Sequence, residues 1–340
     1  MTASTDSLPA PRTPAPADRA AAFGLRVLQA GPVLILGLLC VVMALSSPYF
    51  ATERNLANLG FQASFVAVLA LGQLLVIITR GIDLSVGSVV GLAGVLAIGA
   101  GGSFVTVLAF AATGLAVGLA NGTVLVWGRV MNPFIVTLGM LGIVRGLALV
   151  ISDGQTETGL PPVIGTLGSG TVAGIPVPVL LVSGLAIAIG LLLGRTQWGR
   201  WIYAVGGNPD AARRAGIPAD HVLLSVYALC GLMAGIAAIL VAGRTDSGAP
   251  QAGQLLELDA ITAVIIGGAS FLGGRGRVTN VIAGALIIGV IRNGLDLLDV
   301  SPFWQLIAVG SLVIVSLELD VMRGRLETRL RASQTRAAAT

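Results

Sequence analysis

Few residues in this chain could do chemistry, and most of them lie in or beside apolar runs. Asp83, Asp259 and Asp296 fall near the ends of such runs, and Arg145 and Arg292 fall inside them. An arginine at the bilayer centre costs at least ~2.5 kcal/mol on insertion scales, so a functional position is the default expectation for one. Arg292 has Asp296 four positions on, and a local ion pair is the cheaper account of it. Arg145 has no acid at helical spacing, so it is expected to snorkel or to pair across helices. Asn121 and Asn293 lie deep in apolar runs, where hydrogen bonding between helices is favoured over contact with a solute. Ser85 and Ser88 follow Asp83 in what reads as a structural helix start, and no nucleophile–base pair has a sequence signature. The single His221 sits at a helix boundary and suits an interfacial or capping position. Cys40 and Cys230 lie within apolar runs and read as buried packing rather than a disulfide or a metal site. One histidine and no Cys/His cluster leave little room for metal chemistry. All 20 basic residues are arginine. A GxxxxGK phosphate loop is therefore impossible, and the chain does not hydrolyse ATP by that route. The expectation is a protein that is not an enzyme and holds no cofactor of its own.

The elements that must position these residues are transmembrane helices. The 340-residue chain is 55% hydrophobic and 11% charged, with a mean hydropathy of +0.92. A soluble domain carries about 25% charged residues. Apolar runs near 20 residues recur along the chain, which predicts an all-α polytopic membrane protein. Ten spans are expected, at 27–45, 59–79, 84–100, 104–127, 133–151, 178–194, 222–242, 260–272, 278–298 and 303–319. Residues 1–26 read as a disordered tail, 27–319 as the membrane domain and 320–340 as a basic tail. The first run could pass for a signal peptide, but its long polar lead, its lack of a clear cleavage site and the many later spans argue against cleavage. Residues 152–177, rich in Gly, Thr and Pro, read as a loop.

Ten spans put both termini on one side, and the arginines choose that side. Arg80, Arg129, Arg195, Arg200, Arg213, Arg214, Arg275, Arg277 and the arginines of both tails fall together. Only Arg54 and Arg244 fall opposite. The termini are therefore expected in the cytoplasm. The basic pI near 9.8 reflects this membrane face and implies no nucleic-acid partner.

Two parts of the chain echo each other. Asn121-Gly122 precedes Asn132-Pro133-Phe134 as Asn293-Gly294 precedes Ser301-Pro302-Phe303, and Ile82-Asp83 matches Leu258-Asp259. Corresponding spans run in opposite directions, the mark of an inverted repeat of spans 2–5 against 7–10. Glycine-broken spans at equivalent places point to a transport route. Asp83, Ser85, Asn121, Arg145, Asp259 and Asn293 are its candidate residues. The competing account is that the aspartates cap helices and the glycines permit tight packing.

The loop 195–221 contains the longest interruption built for contact, GRWIYAVGGNPDAARRAGI at Gly199–Ile217. Asn208 can cap a helix, Pro209 suits its first turn, and Asp210 faces its positive end. Arg213 and Arg214 suit the negative end, and Gly216 the left-handed stop. A helix of about seven residues, roughly 10 Å at ~1.5 Å per residue, is too short to stand alone in water. It must lie against its own membrane domain, against lipid headgroups or against a partner.

RGIDLSVGSVVGLAG (80–94), NPFIVTLGMLGIVRGLALVISDG (132–154), the 199–217 stretch and ELDAITAVIIGGASFLGGRG (257–276) resemble, in order, the permease subunits of bacterial sugar ABC importers of the ribose/xylose/galactose type. The likeness covers residues 30–320. It implies a homodimeric ten-span permease of the bacterial inner membrane. It further implies a cytoplasmic ABC ATPase that binds ATP-Mg, often with two modules in one chain, and an extracytoplasmic sugar-binding protein. Gly206, Gly207, Asn208, Pro209, Asp210, Ala211, Arg213, Arg214 and Gly216 stand where the family couples to its ATPase. Arg213-Arg214-Ala215 departs from the pattern in carrying more charge before Gly216, which leaves the pairing with a particular ATPase open. Loops 152–177 and 243–259 would face the binding protein. A nucleoside, quorum-signal sugar or polyol permease is the alternative within the class. An ion-coupled secondary transporter is the rival outside it, disfavoured because the aspartates lie near predicted span ends.

Overall fold

The computed structural model describes residues 16–128 and 132–339, leaving residues 1–15 and the expected turn at Arg129 outside the described residues. Among the described residues, thirteen helices follow in order: α1 Pro16–Ser46, α2 Glu53–Ile78, α3 Val86–Ile98, α4 Ser103–Trp127, α5 Pro133–Ile151, α6 Pro162–Ser169, α7 Val177–Arg195, α8 Gln197–Gly207, α9 Pro209–Arg214, α10 Ala219–Thr245, α11 Leu256–Ile266, α12 Val278–Leu297 and α13 Pro302–Ala339. Among the described residues, α2, α4, α5, α7, α10 and α12 are long and apolar enough to cross a membrane. Gly31–Ser46, α3 and Phe303–Glu318 are shorter apolar stretches. The helix α1 begins at Pro16, inside the segment expected to be a tail, and α13 continues past 320 into the segment expected to be the other.

Local signals set the boundaries. Thr52 accepts from the Asn55 amide to start α2, and Asn132 accepts from the Phe134 amide ahead of Pro133 to start α5. Residues 152–177 are more ordered than expected. They contain α6 and two short ladders, β1 Glu157–Thr158 against β4 Ser247–Gly248, and β2 Thr171–Val172 against β3 Ile175–Pro176. Proline fixes the start of α6, and buried Ile164 and Gly168 seat it on α10.

The ladders mark one end of the bundle and α8–α9 the other. α2 descends from the ladder end, where Asn58 accepts from Arg244, to the α9 end, where Ile78 accepts from the Gly274 amide. α10 runs the opposite way. Residues 63–78 of α2 apart from Phe65, most of α3 and long stretches of α10, α11 and α12 are buried, while α4, α5 and α7 keep apolar outer faces. Apolar faces left uncovered in this way suit lipid.

The helices α2–α5 and α10–α13 pack on corresponding partners. α3 lies on α4, α5 and α10, and α11 lies on α12, α13 and α2. The tightest crossing is α4 on α10. A Cβ at Gly114 or Gly118 would fall on the backbone of Gly231 or Tyr227, and one at Gly231 or Gly235 on that of Gly114 or Phe110. Small residues four apart on both helices let the backbones meet, as the small-xxx-small pattern requires.

Candidate functional site

The expected short helix forms as α9. Asn208 Oδ1 accepts from the Ala211 amide at 3.0 Å, and Pro209 occupies the first turn. At the other end Gly216 takes φ +80°, its amide bonds Arg213 O, and the Ile217 amide bonds Ala212 O, each at 3.0 Å. Those two bonds form a Schellman stop, a conformation glycine adopts without a Cβ penalty. Ala212 is buried, whereas Asp210, Ala211, Arg213 and Arg214 face outward. Arg213 pairs with Asp220 at the start of α10, and this hydrogen bond holds its guanidinium above its ordinary range.

What precedes α9 was not anticipated. Gln197–Gly207 is a separate helix, capped by Thr196 and packed through buried Gly199, Ile202, Val205 and Gly206. Arg80 and Tyr203 tie it to the end of α2 and the 273–276 turn, which are themselves bonded to each other. Arg80 donates to the carbonyls of Gly206, at 2.6 Å, and Gly207. Tyr203 donates to Gly276 O at 2.8 Å. The Gly274 amide donates to Ile78 O at 2.8 Å. A Cβ at Gly206 would fall on Ile78 O, whereas Gly207 faces open space. The end of α2, the 273–276 turn and α8–α9 are therefore one bonded cluster. Arg80 beside the helix break and the paired glycines at 273–274, both at positive φ, were its sequence signals.

Beyond Arg80 the chain leaves helical geometry and turns back at Asp83, which is 1% exposed. Asp83 Oδ1 accepts from the Ser85 amide at 2.9 Å and its hydroxyl at 2.6 Å, so Asp83 does orient the start of α3. Asn121 of α4 joins the cluster, donating to Ser85 Oγ at 2.9 Å and to both Asp83 oxygens at 3.3 Å. Thr137 of α5 donates to Ile82 O at 3.0 Å. The expected interhelical bonding is thus present, whereas Asp83 closes a turn ahead of α3 rather than capping it: the N-cap is Ser85, without a side-chain cap bond.

The matching acid is Asp259, in the first turn of α11 and 0% exposed. Arg292 does not pair with Asp296 as its spacing suggests. Its Nη2 reaches across to Asp259 Oδ2 at 2.6 Å, and Asp296 accepts instead from Gln305 at 2.7 Å. The i, i+4 spacing sets proximity only; the neighbouring helix offers Arg292 a carboxylate with no water to solvate it, which is the stronger claim on a cation. Nor does position near a span end keep Asp83 or Asp259 in solvent, since both lie inside the helix packing. Asn293, next along α12, exchanges hydrogen bonds with Asn55 of α2 at 2.8 and 2.9 Å.

Arg145 neither snorkels nor pairs with an acid at bonding distance. Its guanidinium clamps the 250–252 segment, donating to Pro250 O and Ala252 O, and reaches Gly87 O on α3 at 3.3 Å. Arg145 thereby joins α5, α3 and the chain leading into α11. His221 lies exposed in the first turn of α10. Cys230 is buried, with Gln73 3.6 Å away. Among the described residues, no group of three His, Cys, Asp or Glu could hold a metal ion.

A bundle of long apolar helices with buried polar junctions and a charged helical hook at one end defines a multi-pass membrane transport component. The chain belongs to the family described as branched-chain amino acid transport system / permease component, whose model matches residues 55–317. It is 40% identical over 300 residues to the ribose import permease protein RbsC of Escherichia coli strain K12, covering 86% of this chain and 93% of that one. It is 36% identical to the D-allose transport system permease protein AlsC of the same strain, covering 85% and 90%. It is 35% identical to the L-arabinose transport system permease protein AraH, also of that strain, covering 88% and 92%. No solved structure matches. Family and spans together make it a multi-pass protein of the bacterial inner membrane.

Proposed function

We propose that this chain is the membrane-spanning subunit of a sugar ABC importer and that it supplies the path and the lever but no covalent chemistry. The family description speaks of amino acids, yet relatives alike over most of both lengths carry ribose, allose and arabinose in their names. Ten spans with both termini in the cytoplasm fit the bundle. Arg80, Arg195, Arg200, Arg213, Arg214, Arg275 and Arg277 gather at the α9 end, against Arg54 and Arg244 at the ladder end. That asymmetry supports an α9 end that faces the cytoplasm. The opposite directions and corresponding partners of α2–α5 and α10–α13 support an inverted repeat. The ladder end then meets an extracytoplasmic binding protein, and two copies of the permease share the bilayer.

The observation that carries the reading is the bonded cluster at the α9 end. Gly206 to Gly216 form the coupling surface, and its exposed Asp210, Ala211, Arg213 and Arg214 dock on a separate ATPase that binds ATP-Mg. Displacement of α9 pulls on α8, which holds Arg80 and thus the break at Asp83 and Ser85. Asp83, Ser85, Asn121, Arg145, Asp259 and Asn293 are the polar joints at which the helices lining the route re-pack between outward and inward states. The test is sugar uptake by proteoliposomes carrying permease, ATPase and binding protein. Asp210→Lys should abolish ATP-driven uptake while leaving the permease in the membrane. Uptake at the wild-type rate would sink the coupling assignment. Uptake that needs no ATPase but collapses with the proton gradient would instead establish an ion-coupled carrier.

A further inference from the structure

The chain between α10 and α11 lies as a strap along α3. Its contacts follow the glycines of α3 in reverse order. A Cβ at Gly94 would sit 3.4 Å from Gly248 Cα, one at Gly91 2.6 Å from Pro250 O and 3.1 Å from Ala252 O, and one at Gly87 2.6 Å from Gly253 O. The missing side chains let the strap backbone rest directly on the helix. At its outer end the strap pairs with β1 through Ser247–Gly248, and at its inner end it runs into α11, which carries Asp259. Leu255, at the entry to α11, takes φ +66°, a left-handed conformation that a leucine keeps only where its surroundings enforce it.

Two opposite charges flank this strap without bonding to each other. Arg145 of α5 is half-buried and gives its donors to neutral carbonyls, those of Pro250 and Ala252 on the strap and of Gly87 on α3. Glu257 is 8% exposed, and its Oε2 is buried with no hydrogen-bond partner. Both side chains reach the same residue. Arg145 Nη2 lies 3.3 Å from Gly87 O, and a Cβ on Gly87 would fall on Glu257 Oε2. Each charge feels the other, yet among the described residues no ion pair joins them. A hydrogen bond between two charged groups is stronger than one to a carbonyl, so Arg145 has beside it a better acceptor than those it holds. The strap occupies the donors that would reach it.

We propose that Arg145 is a clasp with two sets of acceptors: the strap carbonyls while the strap lies on α3, and the Glu257 carboxylate when the strap lifts. Lifting frees the donors given to Pro250 and Ala252. Glu257 takes them, and its Oε2 gains the partner it lacks. The guanidinium is never left bare inside the bundle, where an unpaired charge is costly, so two arrangements of the same helices come close in free energy. The strap is tied to β1 on one side and to α11 on the other, so a pull on the ladder reaches Asp259 through one short length of chain. This deepens the importer reading and rests on it, since the exchange is the step that passes contact at the ladder end to α11.

The first test needs only the full-length chain. Equilibrium unfolding by SDS in mixed micelles is measured for the parent, Arg145→Gln, Glu257→Gln and the two together, with and without Gly91→Ala. The added Cβ presses on Pro250 O and displaces the strap. The coupling of Arg145 to Glu257, read as a ratio of unfolding constants, should be about tenfold larger with Gly91→Ala than without it. Equal coupling in both backgrounds overturns the clasp. Because Gly91→Ala could itself disturb folding, hydrogen exchange over residues 249–256 is the second measurement, in nanodiscs with ATPase, binding protein, ATP-Mg and D-ribose, D-allose or L-arabinose. In the parent these amides should exchange about tenfold faster during turnover than in the chain alone. Glu257→Gln should leave the resting exchange unchanged, abolish the acceleration and lower uptake about tenfold, and Glu257→Asp should restore both. Acceleration and uptake at the parent level in Glu257→Gln overturn the proposal. If the coupling grows with Gly91→Ala but the complete parent system transports none of the three sugars, the importer reading falls and the clasp stands.

Discussion

In the α2–α5 half, Asp83 accepts only from neutral donors, the Ser85 amide and hydroxyl and the Asn121 amide, in a junction closed on all sides. In the α10–α13 half, Asp259 takes a corresponding place but meets Arg292, and the pair lines a cavity. The two buried acids therefore meet different chemistry, neutral donors at Asp83 and a guanidinium at Asp259. The Asp83 carboxylate is held by neutral groups alone, Ser85 two positions on and Asn121 from α4. A carboxylate held by a long, partly exposed arginine is a joint whose cation still reaches solvent.

The comparison breaks most easily at Arg292. Arg292→Met leaves Asp259 enclosed without a counter-charge, and about 3–5 kcal/mol of stability should be lost. Thermal unfolding in detergent measures this, and Arg292→Met with Asp259→Leu should recover most of the loss. In the closed half, Asn121→Ala removes one donor and should cost less, about 1–3 kcal/mol. If Asn121→Ala proves as damaging as Arg292→Met, the distinction between a neutral and a charged joint fails.

Helix seams sharpen the contrast at a smaller scale. Gly118→Ala, on the α4–α10 crossing, should cost about 1–3 kcal/mol by overpacking against backbone. Gly289→Ala, where a Cβ would sit 3.0 Å from the Ala63 Cβ, should be milder on the α2–α12 crossing. Equal losses would mean that the two crossings are equally tight. At the α9 end, Gly206→Ala should lower uptake more than Gly207→Ala, since only Gly206 presses on Ile78 O. Arg213→Ala should shift stability least, by about 0–1 kcal/mol, because its pair with Asp220 is half exposed.

Much of this architecture was legible in the sequence. Apolar runs set the membrane helices, since a bilayer imposes length and composition on whatever crosses it. The pattern Asn208-Pro209-Asp210 to Gly216 fixed α9 almost to the residue, because caps act through backbone groups two or three positions away. The interhelical roles of Asn121 and Asn293 followed from polar groups placed where water is absent. The partner of Arg292 did not follow. Spacing named Asp296, four residues off, whereas Asp259 lies 33 positions away in the chain and adjacent in space. The carbonyl cradle of Arg145, the grip of Arg80 on Gly206 and Gly207, and the cavity at Asp259 were likewise decided by tertiary packing. Composition and periodicity describe a helix and the solvent it needs. Which helix stands beside it, and therefore which buried charge meets which donor, depends on how separate surfaces close on one another, and only the folded bundle specifies that.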